Sequence, residues 1–465
     1  MEQQRVPIFP RSVKGFYRKV KSSIVILAYG VYFLLPWIPW HRETGISQAV
    51  IFNLDAHRFD IFNLTIYAQD MFWVAVLFAF AALLLFFVTG IAGRVFCGYF
   101  CFQTLWTDVF MYIEHWIQGE RPVRIKLANS KWTLEKIVKI GLTHFSWLLV
   151  AFLTGLAFTL YWGYAPDLIV QIFTFKAPLA AGITILFLTA TTYVMAGIAR
   201  EQVCTYMCPY ARFQSAMFDR DTVIVAYDSI RGEGSNGRHK PSKELIKRDD
   251  RQDQGYGDCV DCGYCVQVCP TGIDIRNGLQ FQCITCALCI DACDTIMTSV
   301  GYPKGLIRYS SEAEAEGKKT RFLKPKTIGY GVILIVVLSA LIWGLYTRTA
   351  LELSVRQVRQ PLFVVLSNGD IQNRYDIKMN NKTDKAMVLA LSIKGLDKSI
   401  LNSGRHENIK LAPSSSLTLH VNVKLAPELI KKDNQAFEFV IVNVTNHNSK
   451  WKHKANFSTQ KMKVN

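Results

Sequence analysis

The 465-residue chain carries 53 Lys and Arg against 36 Asp and Glu, a formal charge of +17, and half of its residues are hydrophobic. That apolar share points to a membrane protein and away from one large soluble enzyme. The basic excess concentrates at the ends, six basic residues against one acidic over 1–23 and 19 against nine over 347–465, with no stacking-aromatic RNA motif or zinc-finger helix beside it. Nucleic-acid binding is excluded on that ground.

Five apolar stretches approach the length needed to cross a bilayer as helix: 24–40, 71–91, 143–161, 179–198 and 328–346. The first is the shortest and contains Pro36 and Pro39, with Trp37 and Trp40 expected at an interface. No small-residue cleavage site follows Trp40, so it reads as a span and not as a signal peptide. Lys and Arg number six over 1–23 and seven over 92–142, against two over 41–70 and one over 163–178. Because basic loops resist translocation, the N-terminus (1–23), the loop 92–142 and the segment 199–327 are expected in the cytoplasm. Residues 24–198 then hold four spans, 328–346 the fifth, and 347–465 lie outside, in the periplasm of a bacterium. Few buried charges in the five spans leave room for a homodimer contact.

The segment 199–327 opens with a Gly/Ser/charge-rich stretch, Arg231–Arg238, and ends with a polar one containing Glu312, Glu314 and Glu316. Both read as flexible connections. After residue 346 the runs 361–366, 386–393, 416–423 and 436–444 alternate with turn signals at 368–370, 380–381 and 413–416. Short strands punctuated in this way predict a β-sandwich of about 100 residues. Its Lys-rich surface reads as solvated, with docking to an acidic partner as the alternative.

Twelve cysteines occur in short, repeated spacings and none follows Cys293, a pattern of metal or redox sites and not of a disulfide framework. Cys259-Val-Asp-Cys262-Gly-Tyr-Cys265-Val-Gln-Val-Cys269-Pro is C-x2-C-x2-C-x3-C-P, and the spacing recurs at Cys283, Cys286, Cys289 and Cys293. Three thiolates of each run converge on one iron–sulfur cube and the fourth reaches the other. One [4Fe–4S] cluster is therefore assigned to Cys259, Cys262, Cys265 and Cys293, the other to Cys269, Cys283, Cys286 and Cys289. Structural zinc, which prefers paired C-x2-C knuckles, fits less well. Asp294 stands where a second proline is usual. Neighbouring cubes pass single electrons but offer no substrate pocket.

The other four cysteines form two C-x3-C pairs, Cys97/Cys101 just past the second span and Cys204/Cys208-Pro209 just past the fourth. If the helices continue, i and i+4 set each pair on one face. Two such pairs would make a four-sulfur site for a soft ion such as Cu(I), with Met111 and Met207 as nearby thioethers. Buried packing, a reversible disulfide or a third cluster are the alternatives. Glu114-His115 reads as an exposed helix end, with a proton or metal group as the alternative. His144 is the only histidine in an expected span, so a bis-histidine haem lacks ligands, and no Gly-rich nucleotide fingerprint is present.

In this order of helices, C-x3-C pairs, eight ferredoxin cysteines and basic β-domain, the chain resembles the cytochrome c oxidase accessory protein family CcoG, also called FixG or RdxA. The resemblance implies an α-helical integral membrane protein of the bacterial inner membrane with five transmembrane helices. It also implies a cytoplasmic ferredoxin-like insert at about 250–300 and a C-terminal immunoglobulin-like β-sandwich. The implied role is cupric reductase for assembly of cbb3-type oxidase, with copper at Cys97, Cys101, Cys204 and Cys208. The expected partners are membrane lipid, a cytoplasmic electron donor, and a copper chaperone or oxidase-assembly factors. Quinol-oxidising membrane ferredoxins share the C-x3-C-P pattern, and a non-catalytic scaffold is the third reading.

Overall fold

The computed structural model describes residues 8–459 apart from 43–44, 55–57, 68–69, 241–246, 384, 397–399, 403–407, 414, 431 and 445–448. The first seven residues of the expected basic N-terminus, and Ser414 of the turn at 413–416, lie outside the described residues. The chain divides into two compact units, Met1–Trp37 with Phe72–Ile342, and Ile38–Met71 with Trp343–Asn465.

In the first unit and at its edges, five helices are long and apolar enough to cross a membrane: Phe16–Trp37, Met71–Ala92, Leu134–Leu160, Leu179–Ala199 and Pro325–Tyr346. Their bounds correct the hydropathy reading at three starts. The first helix begins eight residues before the apolar run. Its opening amides, of Tyr17 and Arg18, donate to the two carboxylate oxygens of Asp291 at 3.2 and 2.8 Å, an N-terminal cap supplied from far along the chain. Gly15 permits that approach, since a Cβ there would lie 2.1 Å from the Asp291 carboxyl carbon. The helix gives way to a 3-10 turn at Leu35–Trp37, and Trp40 falls on the strand Pro39–Arg42 outside the span. The third helix starts at Leu134, where Thr133 Oγ1 accepts from the Lys136 amide, and the fifth starts at Pro325. Gly155 lets the third and fourth helices touch, because a Cβ there would sit 2.8 Å from the Ile185 carbonyl. Phe72, Leu77 and Phe78 on the second helix and Ile335, Val336 and Ile342 on the fifth are exposed, as a lipid-facing surface requires.

The loop 92–142 is largely helical, with Val95–Tyr99, Phe102–Gln118 and Arg121–Asn129 before the third span. Here the expectation of an exposed Glu114 is corrected. Glu114 is buried and pairs with Arg124 at 2.9 Å and with Arg200.

The segment 199–327 folds around its cysteines. Strands Ile224–Tyr227 and Ile307–Ser310 pair antiparallel and bracket both motifs. The two stretches read as flexible connections are built into this fold. Arg231 and Arg248 both pair with the buried Asp258, at 2.7 and 2.9 Å, and Gly234 bridges Tyr256. Glu312 and Glu314 lie on a short helix, Glu312–Ala315, capped by Ser311.

In the second unit, two antiparallel sheets follow the fifth helix. One takes the order 400–402, 416–425, 371–381, 351–357, with 364–365 also on 371–381; the other runs 409–411, 387–394, 434–443, 450–458. Their facing residues, among them Tyr375, Ile377, Val421, Phe439 and Phe457, form one core. Segment 38–71, which forms small sheets of its own, belongs to this unit. Asp70 pairs with Arg348 at 2.9 Å and Lys382 at 2.8 Å.

Candidate metal centres

The eight ferredoxin cysteines surround two adjoining hollows. Cys269, Cys283, Cys286 and Cys289 line the first with Ile273, Ile275 and Ile284. Cys259, Cys262, Cys265 and Cys293 line the second with Tyr227, Arg276 and Ile307, and Cys265 also reaches the wall of the first. Each quartet contains three consecutive cysteines of one motif and the last cysteine of the other.

Local backbone accounts for this convergence. Asp261 and Gly263 in the first motif, and Thr285 and Ala287 at the equivalent positions of the second, all have positive φ, between 44° and 66°. Paired left-handed residues curl each loop so that its three thiols turn inward. The motifs then diverge. Pro270 follows Cys269, just beyond a helix of only four residues, Tyr264–Gln267. Asp294 carries a backbone amide after Cys293, so Leu288–Val300 continues as a 13-residue helix, and the Asp294 carboxylate accepts from the Gly305 amide at 2.9 Å.

Burial pushes the thiols of Cys265, Cys283 and Cys293 up to about 12, so metal must displace protons to bind them. Among the described residues, no three His, Cys, Asp or Glu side chains converge on a single-ion site. Four thiols around an apolar hollow instead suit a four-iron cube. Cys262 is the exposed member of its quartet, and Cys286 is buried in the other.

The structure also draws the two C-x3-C pairs together, although not as i and i+4 neighbours on continued helices. Cys97 lies on the short helix Val95–Tyr99, and the chain turns before Cys101, which precedes Phe102–Gln118. Cys204 lies on the π-helical turn Val203–Met207, whose i to i+5 bond runs from the Cys208 amide to the Val203 carbonyl. Cys97 and Cys204 are each close enough to Cys101 and Cys208 to feel their charge. Burial raises Cys97 to about 11 and Cys204 to about 12. Cys97 Sγ donates to Gln214 Oε1 at 3.1 Å. Met207 is exposed; Met111 lines a small cavity with Cys204, Lys21, Pro270 and Thr271.

This thiol group adjoins one hollow in particular. A Cβ on Gly98 would lie 2.8 Å from the Ile284 carbonyl and 2.9 Å from Cys286 Cα, and Tyr99 Oη donates to the Cys286 carbonyl at 3.1 Å. Cys97, Ile284, Cys286 and Leu288 share one buried cluster. The hollow lined by Cys286 is therefore proximal to the C-x3-C thiols.

Two family models match the chain, one described as a 4Fe-4S dicluster domain over residues 199–312 and one as an IG-like fold at the C-terminal of FixG over 341–460. Among curated proteins, RdxB and RdxA of Cereibacter sphaeroides are each 41% identical over 84% of this chain, covering 82% and 83% of their own lengths. The nitrogen fixation protein FixG of Rhizobium meliloti is 36% identical over 96% of this chain and 91% of its own. The chain belongs to the FixG/RdxA family. As a FixG/RdxA protein it is an iron–sulfur protein with apolar helices, a 4Fe–4S dicluster domain and an Ig-like C-terminal domain. A crystal structure of a FixG-related protein from Vibrio parahaemolyticus aligns over 24% of this chain and 99% of that chain, at 20% identity and a TM-score of 0.22.

Several neighbours of the candidate site carry no motif signal. Arg94 and Lys21 are fully buried basic residues, and Asp108 is a buried acid that pairs with Arg18 at 2.9 Å and Lys21 at 3.1 Å. Against the upward push of burial, Lys21 and Arg18 hold the Asp108 carboxyl below its usual value. The available signal was the isolation of Asp108 in an apolar helix and the placing of Arg94 three residues before Cys97. His144 meets the Tyr193 hydroxyl at 2.9 Å, a packing role.

Proposed function

We propose that this protein carries single electrons from a cytoplasmic donor to copper at its membrane-edge thiols, reducing Cu(II) to Cu(I) for assembly of a cbb3-type oxidase. The two quartets would hold two [4Fe–4S] clusters, which supply one-electron transfer. Cu(II) takes up one electron and becomes Cu(I). Cys97, Cys101, Cys204 and Cys208 would bind the soft Cu(I) product, and Cu(I) would pass to a chaperone or assembly factor.

The observation that carries this reading is the packing of Val95–Tyr99 on the Cys286 loop, which puts a copper-type thiol and a cluster ligand in one buried cluster. We place the N-terminus, the loop 92–142 and the dicluster domain in the cytoplasm, and the Ig-like domain in the periplasm. Supporting this sidedness, segment 38–71 and the C-terminal domain fold as one unit, as they must if both emerge on one side.

The test uses anaerobically purified protein reduced with dithionite and freed of excess reductant, then given Cu(II) and a Cu(I)-specific chromophore. Rapid Cu(I) formation with cluster reoxidation is expected, and it should be lost in Cys97→Ala/Cys101→Ala protein that retains its iron. Equal rates in both proteins would remove these thiols from the reaction.

A second reading, oxidation of a quinol, is favoured by a cavity lined by Asp108, Tyr112, His115 and Glu120 beside Pro270 and Leu288, the neighbours of Cys269 and Cys289. Cluster reduction by a quinol analogue in detergent would support it, and no reduction would remove it.

A further inference from the structure

Arg94 lies just past the helix Met71–Ala92 and precedes Cys97 by three residues. It is 1% exposed, and among the described residues no carboxylate pairs with it. Its Nη1 donates to the carbonyl of Phe281, two residues before Cys283. That neutral bond leaves the charge uncompensated, and a guanidinium cannot shed its proton to escape burial. Such a charge is stable in the interior only beside an anion.

Thiolates are the anions within its reach. Arg94 precedes Cys97 by three residues on one side, and the carbonyl it holds precedes Cys283 by two on the other, so thiolates formed there on metal binding would lie beside its charge. An iron–sulfur cube held by four thiolates is itself anionic, and reduction adds one more negative charge to it. A fixed cation at that boundary stabilises the reduced state.

We infer that Arg94 is a positioning residue, the shared counter-ion of the membrane-edge thiolates and of the cluster at Cys269, Cys283, Cys286 and Cys289, raising that cluster's reduction potential. Electrons therefore come to rest on the cluster that touches the C-x3-C thiols. The exposed Cys262 marks the other quartet as the side of electron entry. This inference rests on both hollows holding cubes, and it does not depend on copper being the acceptor.

The experiment is an EPR-monitored redox titration of the full-length protein, with iron and sulfide content measured alongside. Gln and Lys can each donate to the Phe281 carbonyl, so Arg94→Gln and Arg94→Lys differ chiefly in charge. Arg94→Gln should lower the reduction equilibrium constant of one cluster at least tenfold, which is 59 mV for a one-electron couple, and leave the other cluster unmoved. Arg94→Lys should restore the wild-type midpoint. If Arg94→Gln loses the proximal cluster, a full iron content and wild-type midpoint in Arg94→Lys still support the counter-ion. The inference is overturned if the Gln variant moves neither midpoint or both alike, or if the Lys variant behaves as the Gln variant does. Fewer than two cubes in the wild-type protein would instead overturn the cluster reading beneath it.

Discussion

Gly98→Ala puts a methyl group into the contact between the Cys97 helix and the proximal cluster loop. The new Cβ would meet the Ile284 carbonyl oxygen at 2.8 Å, Cys286 Cα at 2.9 Å and the Cys286 amide at 3.0 Å. Carbon contacts are comfortable at about 3.5–4.0 Å, so the three overlaps amount to roughly half an ångström or more. All three atoms are backbone, next to a cluster ligand, and no side chain can swing aside to absorb the strain. Overpacking of this kind costs about 1–3 kcal/mol, a shift of roughly 5- to 150-fold in the balance between docked and undocked loop. The assay is iron and sulfide content with EPR of the reduced protein. One cluster signal should weaken or change shape, with the other intact, and Gly90→Ala, where a Cβ meets nothing within 4 Å, should be silent. Unchanged spectra and full iron in Gly98→Ala would refute the tight apposition of thiol helix and cluster loop.

Glu114→Ala would strand Arg124 and Arg200, both largely buried, and should destabilise the protein by about 3 kcal/mol; a thermal midpoint in detergent equal to wild type would count against that ion triad. Acid should loosen the stretch around Gly257 through Asp258, whose carboxyl Arg248 and Arg231 hold below its usual value despite burial. Its contribution is complete above the unfolded aspartate value of about 3.9 and is lost as pH falls below that toward the depressed folded value. The protection of the Tyr256 and Gly257 amides, exchange corrected for its intrinsic dependence on pH, should therefore be steady from pH 7 to 5 and fall below 4, and a fall already between 7 and 5 would contradict this.

Ligand chemistry was the most legible layer, because the spacing of Cys259 to Cys269 and of Cys283 to Cys293 is written within a dozen residues and survives any error about the fold around it. Long-range polar contacts were illegible. Arg231 and Asp258 lie 27 residues apart, and their ion pair turns an apparently flexible Gly/Ser stretch into part of the fold. The first helix was cut short for a related reason. Arg18 and Lys21 look like the end of an apolar run until Asp108 and Asp291, both far along the chain, supply their partners. In the Ig-like domain the strand 371–381 was missed because buried Asn373 and Asn381 interrupt its apolar face. The strand 450–458 hides its alternation behind Lys450, Lys452 and Lys454 on the exposed side.

The same hidden contacts decide what kind of electron carrier this can be. A ferredoxin domain on flexible tethers would find its acceptor by diffusion, and its rate would vary with linker length. Here three ties fix the proximal loop to the membrane-edge segment. Arg94 holds the Phe281 carbonyl two residues before Cys283, Gly98 and Tyr99 press on Cys286, and Asp291, between Cys289 and Cys293, caps the first apolar helix. All three are short-range and buried or half-buried, and each engages a different part of the second motif. The interval between the proximal cluster and the thiols is then set by packing. Extending the chain at either end of the dicluster segment should leave the electron-transfer rate to those thiols unchanged, while loosening any one tie should slow it.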